Sequence, residues 1–179
     1  MWQQPYLRLS QQAIYALQTA QRINTKTLAE LEASLELPNI EAELKKLDGR
    51  GSDEEYKAVK ELSKLGEKFP ELLLRKYRIS KKWGERASCV YHSIKYAKTS
   101  NDSFQLGIIA TQDRSKNVRY RACMLLAVAQ KEEAITELET LLKDIDSTDD
   151  AAAAIDAIKN KNHHYFVDRD HSGMVKLNV

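Results

Sequence analysis

The sequence is short of the residues that make cross-links and tight turns: two cysteines, three prolines and six glycines among 179 residues. Cys89 and Cys123 are too few for the disulfide framework of a small secreted domain. Isolated buried thiols in a reducing cytosol are the expectation, with a single bond between the two still open. Scarce glycine and proline also argue against a turn-rich β sandwich or a disordered chain. No window approaches the roughly 18–20 apolar residues of a membrane span. Arg8 interrupts MWQQPYLRLS, so the N-terminus lacks the apolar core of a signal peptide. Metal-ligand spacings such as CxxC or HExxH do not occur. No catalytic motif stands out either. The expectation is a cytoplasmic protein without cofactor, membrane role or enzymatic activity.

What the chain does have is helix-forming composition. Ala, Leu, Glu and Lys dominate, with 42% hydrophobic and 30% charged residues. The stretch 115–145 organises the rest. Val118, Ala122, Leu125, Leu126 and Ala129 recur on one stripe of a 3.6-residue period, behind a Ser115 cap. Ile135, Leu138, Leu141, Leu142 and Ile145 form a second stripe after a very short connection, so the two helices are expected to fold back as an antiparallel hairpin.

Moving back 35 positions reproduces the first stripe as Trp83, Ala87, Val90, Tyr91 and Ile94, with Arg86-Ala87 landing on Arg121-Ala122. A shift of 29 matches Ala58, Leu62 and Leu65, and Ala151, Ala154, Ile155 and Ile158 begin a further stripe behind Ser147. Recurrence at this period is what stacked helical hairpins produce, because one hairpin cannot bury its own apolar face. In that reading Trp83 and Tyr91 are core, whereas Tyr96 and Tyr120, off the stripe, are candidates for exposed contacts. His92 beside the stripe reads as a hydrogen-bonded structural histidine rather than a ligand.

On these residues the segment from 53 to 160 resembles HEAT-like helical repeats. The likeness rests on a first helix with alanine after a basic residue, Arg86-Ala87 and Arg121-Ala122, followed by paired apolar positions. Asn117-Val118-Arg119 is the nearest approach to the family's Asp-Val-Arg opening, and its first-helix proline is missing. The resemblance implies an all-α, right-handed α-solenoid of stacked helical hairpins, and it carries no catalytic residues.

Taken in order, residues 1–48 are expected to form an N-terminal helical cap. A helix covers 10–23. A second, capped by Thr25 or by Thr27 with Glu30 as a capping box, ends at Pro38, and a third runs over 39–47. Asp48-Gly49-Arg50-Gly51 is the clearest break, followed by a Ser52–Glu55 capping box. Repeats occupy 49–161, with Pro70 opening one helix. In 162–179, His164 to Val167 and the alternating Val175, Leu177 and Val179 flank a polar turn, which reads as a small C-terminal β-hairpin. All three parts belong to one structural domain.

The densest polar cluster lies in that turn. Asp168, Asp170 and Ser172 with Gly173 match the opening of a calcium loop, but Val179 stands where the closing carboxylate belongs. These are weak metal candidates. A tight turn bonding its own backbone is the alternative. Zinc on His163, His164 and His171, or acid–base chemistry by an Asp–His pair, lacks a supporting motif.

Charge is the most informative surface feature. Between Arg75 and Arg121 there are twelve Lys/Arg against three Asp/Glu, and between Glu132 and Asp156 nine acids against one Lys. The acidic set, Glu132, Glu133, Glu137, Glu139, Asp144, Asp146, Asp149 and Asp150, suits a basic protein partner. The basic set, Arg75, Lys76, Arg78, Lys81, Lys82, Arg119 and Arg121, suits nucleic acid. The ending YFVDRDHSG is similar to the tails of small bacterial proteins from toxin–immunity loci. That resemblance implies an immunity protein that covers the active site of a cognate toxin, a nuclease among the options, through the acidic set. A nucleic-acid-binding HEAT-like protein is the alternative. A metal-binding module or enzyme built on the tail is the second.

Overall fold

The computed structural model describes residues 40–173; residues 1–39 and 174–179 lie outside that range. The chain divides into two units, Met1–Asn39 and Ile40–Val179, and the helices belong to the described part of the second. The helices expected before Pro38, their capping box, and the last strand of the C-terminal hairpin lie outside the described residues.

The described residues are all-α. Eight helices follow one another: α1 (Ile40–Lys45), α2 (Asp53–Leu62), α3 (Lys68–Ile79), α4 (Trp83–Ser93), α5 (Asn101–Ala110), α6 (Lys116–Ala129), α7 (Ile135–Leu141) and α8 (Thr148–Lys159). Local chemistry sets their ends. Ser52 caps α2 by accepting the Glu55 N–H at 3.1 Å, and three acids occupy the first turn, where the helix dipole favours them. The reciprocal half of that capping box is absent, because the Glu55 carboxylate reaches past Ser52 to the Gly49 and Gly51 N–H groups. Pro70 sits inside the first turn of α3, where its missing N–H costs nothing. α6 stops at Gln130, which turns left-handed at φ 55° and donates its N–H to Leu126 O at 3.1 Å. Ser115 occupies the N-cap position of α6, but its side chain makes no capping hydrogen bond.

α6 is the hub. It packs against α4, α5, α8 and the 3₁₀ turn at His163–Phe166. Val118, Ala122, Leu125, Leu126 and Ala129 are all buried there, as their spacing predicts. Around it Ala58, Leu62, Phe69, Leu73, Leu106, Leu138 and Ile158 complete one continuous apolar core. α1 packs on α2, so residues 40–48 join the helices that follow them.

Four expectations change. Trp83 and Tyr91 are 51% and 52% exposed, whereas Tyr96 is buried and Tyr120 packs on Phe166 at 5.6 Å. Trp83 opens its helix, and Tyr91 at the edge of the stripe lines a cleft under Arg121 of α6 instead of entering the core. Ile145, the last member of the second stripe, is 92% exposed because α7 ends at Leu141. α6 and α7 are not each other's main partners: α7 packs chiefly on α8, which also packs on α6. Finally, His163–Phe166 is a 3₁₀ turn, and no strand occurs among the described residues. Its closing bonds run from Tyr165 N–H to Asn162 O and from Val167 N–H to His164 O, pairing locally the backbone groups a hairpin would need.

Candidate functional site

A buried ionic network sits beneath the surface features. Arg86 on α4 donates Nε to Asp113 Oδ2 at 2.6 Å and Nη2 to Oδ1 at 2.9 Å, while Tyr77 OH donates to Oδ2 at 2.9 Å. Nη1 of Arg86 caps the preceding turn at Lys81 O, 2.7 Å away. Burial pushes the Asp113 carboxyl up, but Arg86, the Ser115 N–H and Tyr77 outweigh it and hold it below the usual carboxylate range. Arg119 on α6 makes a second arginine–aspartate contact further along the chain. Its Nη2 meets Asp144 at 2.6 Å and its Nη1 donates to Asp113 O at 2.8 Å. The two arginines lie 33 positions apart, as do the helix caps Lys82 and Ser115. Geometry therefore aligns Arg86 with Arg119, not with Arg121 as the apolar stripes alone suggest. The acids that Arg86 and Arg119 meet, Asp113 and Asp144, lie 31 positions apart, and Arg119 sends its Nε to the Ser147 hydroxyl at 2.9 Å where Arg86 uses a second carboxylate oxygen.

The acidic set separates into fixed and free members. Glu132 pairs with Lys161 at 2.9 Å, Asp144 with Arg119, and Asp150 with Arg169 at 2.5 Å. The hydrogen bond and charge of Lys161 hold the Glu132 carboxyl below its ordinary range. Glu133, Glu137, Glu139, Asp146 and Asp149 have no ion-pair partner among the described residues. Glu133 lies in the 3₁₀ turn before α7, Glu137 and Glu139 on α7, Asp146 in the loop that exposes Ile145, and Asp149 in the first turn of α8.

The basic set does not form one face. Arg75, Lys76, Lys81 and Lys82 line a groove of about 360 Å³ between α1 and the α3–α4 turn, which Lys45 and the exposed Ile79 join. Arg75 is already paired with Glu41 there, and Lys82 lies 3.6 Å from Glu85. Arg78 is exposed outside that lining. Arg119 is spent on the ionic network, and Arg121 faces a different cleft.

That second cleft is the feature sequence reasoning missed. It holds about 170 Å³ between the 49–52 loop, α2, α4 and α6, and Glu55, Tyr56, Tyr91, His92 and Arg121 line it. Glu55 is only 4% exposed. It accepts the Gly49 and Gly51 N–H groups at 3.2 and 3.0 Å and the Ser88 hydroxyl, with His92 Nε2 3.6 Å away. Burial pushes the His92 pKa down, against the pull of Glu55. Arg121 lies over the Tyr91 ring at 5.1 Å. The pattern Gly49-x-Gly51 ahead of a helix whose third residue is Glu was the one local signal for this arrangement.

In the tail, Asp168 accepts the Ser172 and Gly173 N–H groups at 3.0 and 2.7 Å, and Asp170 accepts the Ser172 hydroxyl at 2.8 Å. These carboxylates face their own backbone. No three His, Cys, Asp or Glu side chains among the described residues are grouped to hold a metal ion. His163 and His164 pack ring to ring, while His171 stacks on Tyr165 and meets Asp156 at 2.7 Å. No helix among the described residues is long and apolar enough to cross a membrane.

No protein-family model matches this chain, and no curated protein matches it significantly.

Proposed function

We propose that this chain is a protein-binding helical-repeat protein: a cytoplasmic bacterial immunity protein that covers the active site of a cognate toxin, with a nuclease the leading class. Its helices stack as a right-handed α-solenoid of HEAT-like pairs. The recurrence of the Arg86–Asp113 contact as Arg119–Asp144 supports the repeat. Stacked pairs expose long outer ridges at little cost to the core, and such surfaces usually bind other proteins.

One observation carries the reading. Ile145, almost fully exposed, is followed in the chain by Asp146, which like Glu137 and Glu139 on the preceding α7 has no ion-pair partner among the described residues. An apolar anchor with a charged rim is the anatomy of a protein interface, and the rim's sign selects a basic partner. Uncompensated acids also steer encounter with a positive cleft, at a rate that salt suppresses.

The test is co-expression with the toxin encoded beside this gene. Wild type restores growth, and Glu137→Lys/Glu139→Lys/Ile145→Asp abolishes the rescue while keeping the helical spectrum and Tm. Rescue by the triple variant at wild-type level overturns the acidic face; failure of the wild type overturns immunity.

The groove lined by Arg75, Lys76, Lys81 and Lys82 supports a second reading, nucleic-acid binding. Retention of duplex or single-stranded DNA at about 150 mM salt, lost in Lys76→Glu/Lys81→Glu, would favour it.

A further inference from the structure

The cleft at Glu55 and Arg121 presents a guanidinium that no side chain or backbone group among the described residues bonds, which points to a ligand independently of the acidic face. Glu55 is saturated from within the protein: two backbone N–H groups and the Ser88 hydroxyl occupy its oxygens. Arg121 is the opposite case. Its guanidinium is half-buried against Tyr91, and no carboxylate lies within ion-pair distance of it among the described residues. Its five donors make no hydrogen bond or ion pair among the described residues, with the Tyr91 face beneath it and the Glu55 charge nearby, so they stand open to a ligand.

We propose that this cleft receives the carboxylate of an aspartate or glutamate side chain presented by a partner protein, with Arg121 taking both oxygens and Tyr56 and Tyr91 flanking the stem. Size argues for a side chain. About 170 Å³ is below the roughly 300–1,000 Å³ of small-molecule and cofactor sites. Charge argues for a monoanion. His92 is held neutral by burial, so Arg121 is the single positive charge of the cleft, and the fixed Glu55 carboxylate repels a second negative charge such as a phosphate dianion carries. Composition agrees, because Tyr and Arg around a small pocket are the residues that dominate binding energy at interfaces. Tyr56, 73% exposed, forms the outer wall and is free to close over a ligand stem.

The probe is N-acetyl-glutamate methylamide, titrated into the ¹⁵N-labelled full chain at constant ionic strength. N-acetyl-glutamine methylamide and inorganic phosphate are the comparison ligands. The expected result is a saturable shift of the Arg121 Nε–H and of the Tyr56 and Tyr91 rings, with Kd on the order of 1–10 mM for one charge-assisted pair. The glutamine analogue binds at least about tenfold more weakly, since it cannot accept both N–H groups as an anion. Arg121→Gln abolishes the shifts while its amide spectrum otherwise overlays wild type. If that variant does not fold, Tyr56→Ala serves instead and weakens binding roughly threefold, having removed only an exposed ring. No saturable shift at Arg121 up to about 50 mM ligand overturns the proposal. So does an equal response to the glutamine analogue, or an unchanged affinity in Tyr56→Ala. Tighter binding of phosphate than of the glutamate probe overturns the carboxylate assignment.

Discussion

Arg86 and Asp113 meet side-on, two parallel N–H···O bonds at 2.6 and 2.9 Å, with only 8% and 3% of the two side chains exposed. They join the start of α4 to the turn that leads into α6. A buried pair of this kind is costly to break, because the surviving charge is left in a low dielectric. Arg86→Met or Asp113→Leu alone is expected to lose about 3–5 kcal/mol in chemical denaturation. The double variant should lose clearly less than the sum of the two, a coupling energy above about 1 kcal/mol. Additive losses would show that the contact is not coupled. The matching Arg119–Asp144 pair is more open to solvent, so Asp144→Asn should cost far less, and high salt should erase most of that cost.

The approach of the 48–51 loop to α4 rests on two glycines. A Cβ on Gly84 would stand 2.6 Å from Asp48 O, and a Cβ on Gly49, where φ is +79°, would stand 2.2 Å from Gly84 O. Both obstacles are backbone, which cannot rotate away. Gly84→Ala should therefore destabilise by about 1–3 kcal/mol or more, read as a lowered Tm. It should also disturb the Glu55 cleft, because Gly49 donates to that carboxylate. Gly107→Ala is the informative control: its Cβ meets the Leu125 and Leu126 methyls at 2.7 and 2.9 Å, side-chain ends that can shift. Its loss should be smaller. Equal Tm shifts would mean that the loop is able to move aside.

The apolar stripe of α6 was fully legible, since five residues at helical spacing can bury themselves in only one way. The same periodicity misjudged Trp83, Tyr91 and Ile145, because spacing reports which side of a helix a residue occupies and not whether a neighbour reaches that far along it. The ionic network was invisible for a different reason. Arg86 and Asp113 are 27 positions apart, and the Arg86-Ala87 pattern says nothing of an acid at Asp113. Glu55 reads locally as the acid of a capping box with Ser52, yet its carboxylate accepts the hydroxyl of Ser88, 33 positions away. Side-chain contacts between helices carry this information, and a one-dimensional pattern does not.

Both cysteines should be chemically silent in the native state. Each is buried and unbridged, and burial pushes each thiol up to about 12. The thiolate is the reactive species, so at pH 8 its population falls roughly a thousandfold below that of an exposed cysteine. An aromatic disulfide reagent should titrate two thiols in denaturant and react under native conditions only as fast as the protein opens. Rapid native labelling of either cysteine would contradict the packing of α4 or α6.

His92 should make the fold sensitive to mild acid. Burial lowers its pKa from 6.5, against the opposing pull of Glu55, while Arg121 adds to the lowering. The unfolded chain therefore takes up this proton first as pH falls. The stability contributed by the neutral ring is complete above pH 6.5 and drains away below it, until the folded imidazole titrates as well. The slope from this one site cannot exceed about 1.4 kcal/mol per pH unit. His92→Asn removes the titrating group, so denaturation midpoints measured between pH 7.5 and pH 5 should fall less steeply in the variant than in wild type. Glu55→Gln acts the other way. Without the carboxylate the folded ring resists protonation more strongly, and the pH-dependent interval extends to lower pH. Parallel profiles for wild type and His92→Asn would remove His92 as the source, leaving the surface carboxylates to account for any acid sensitivity.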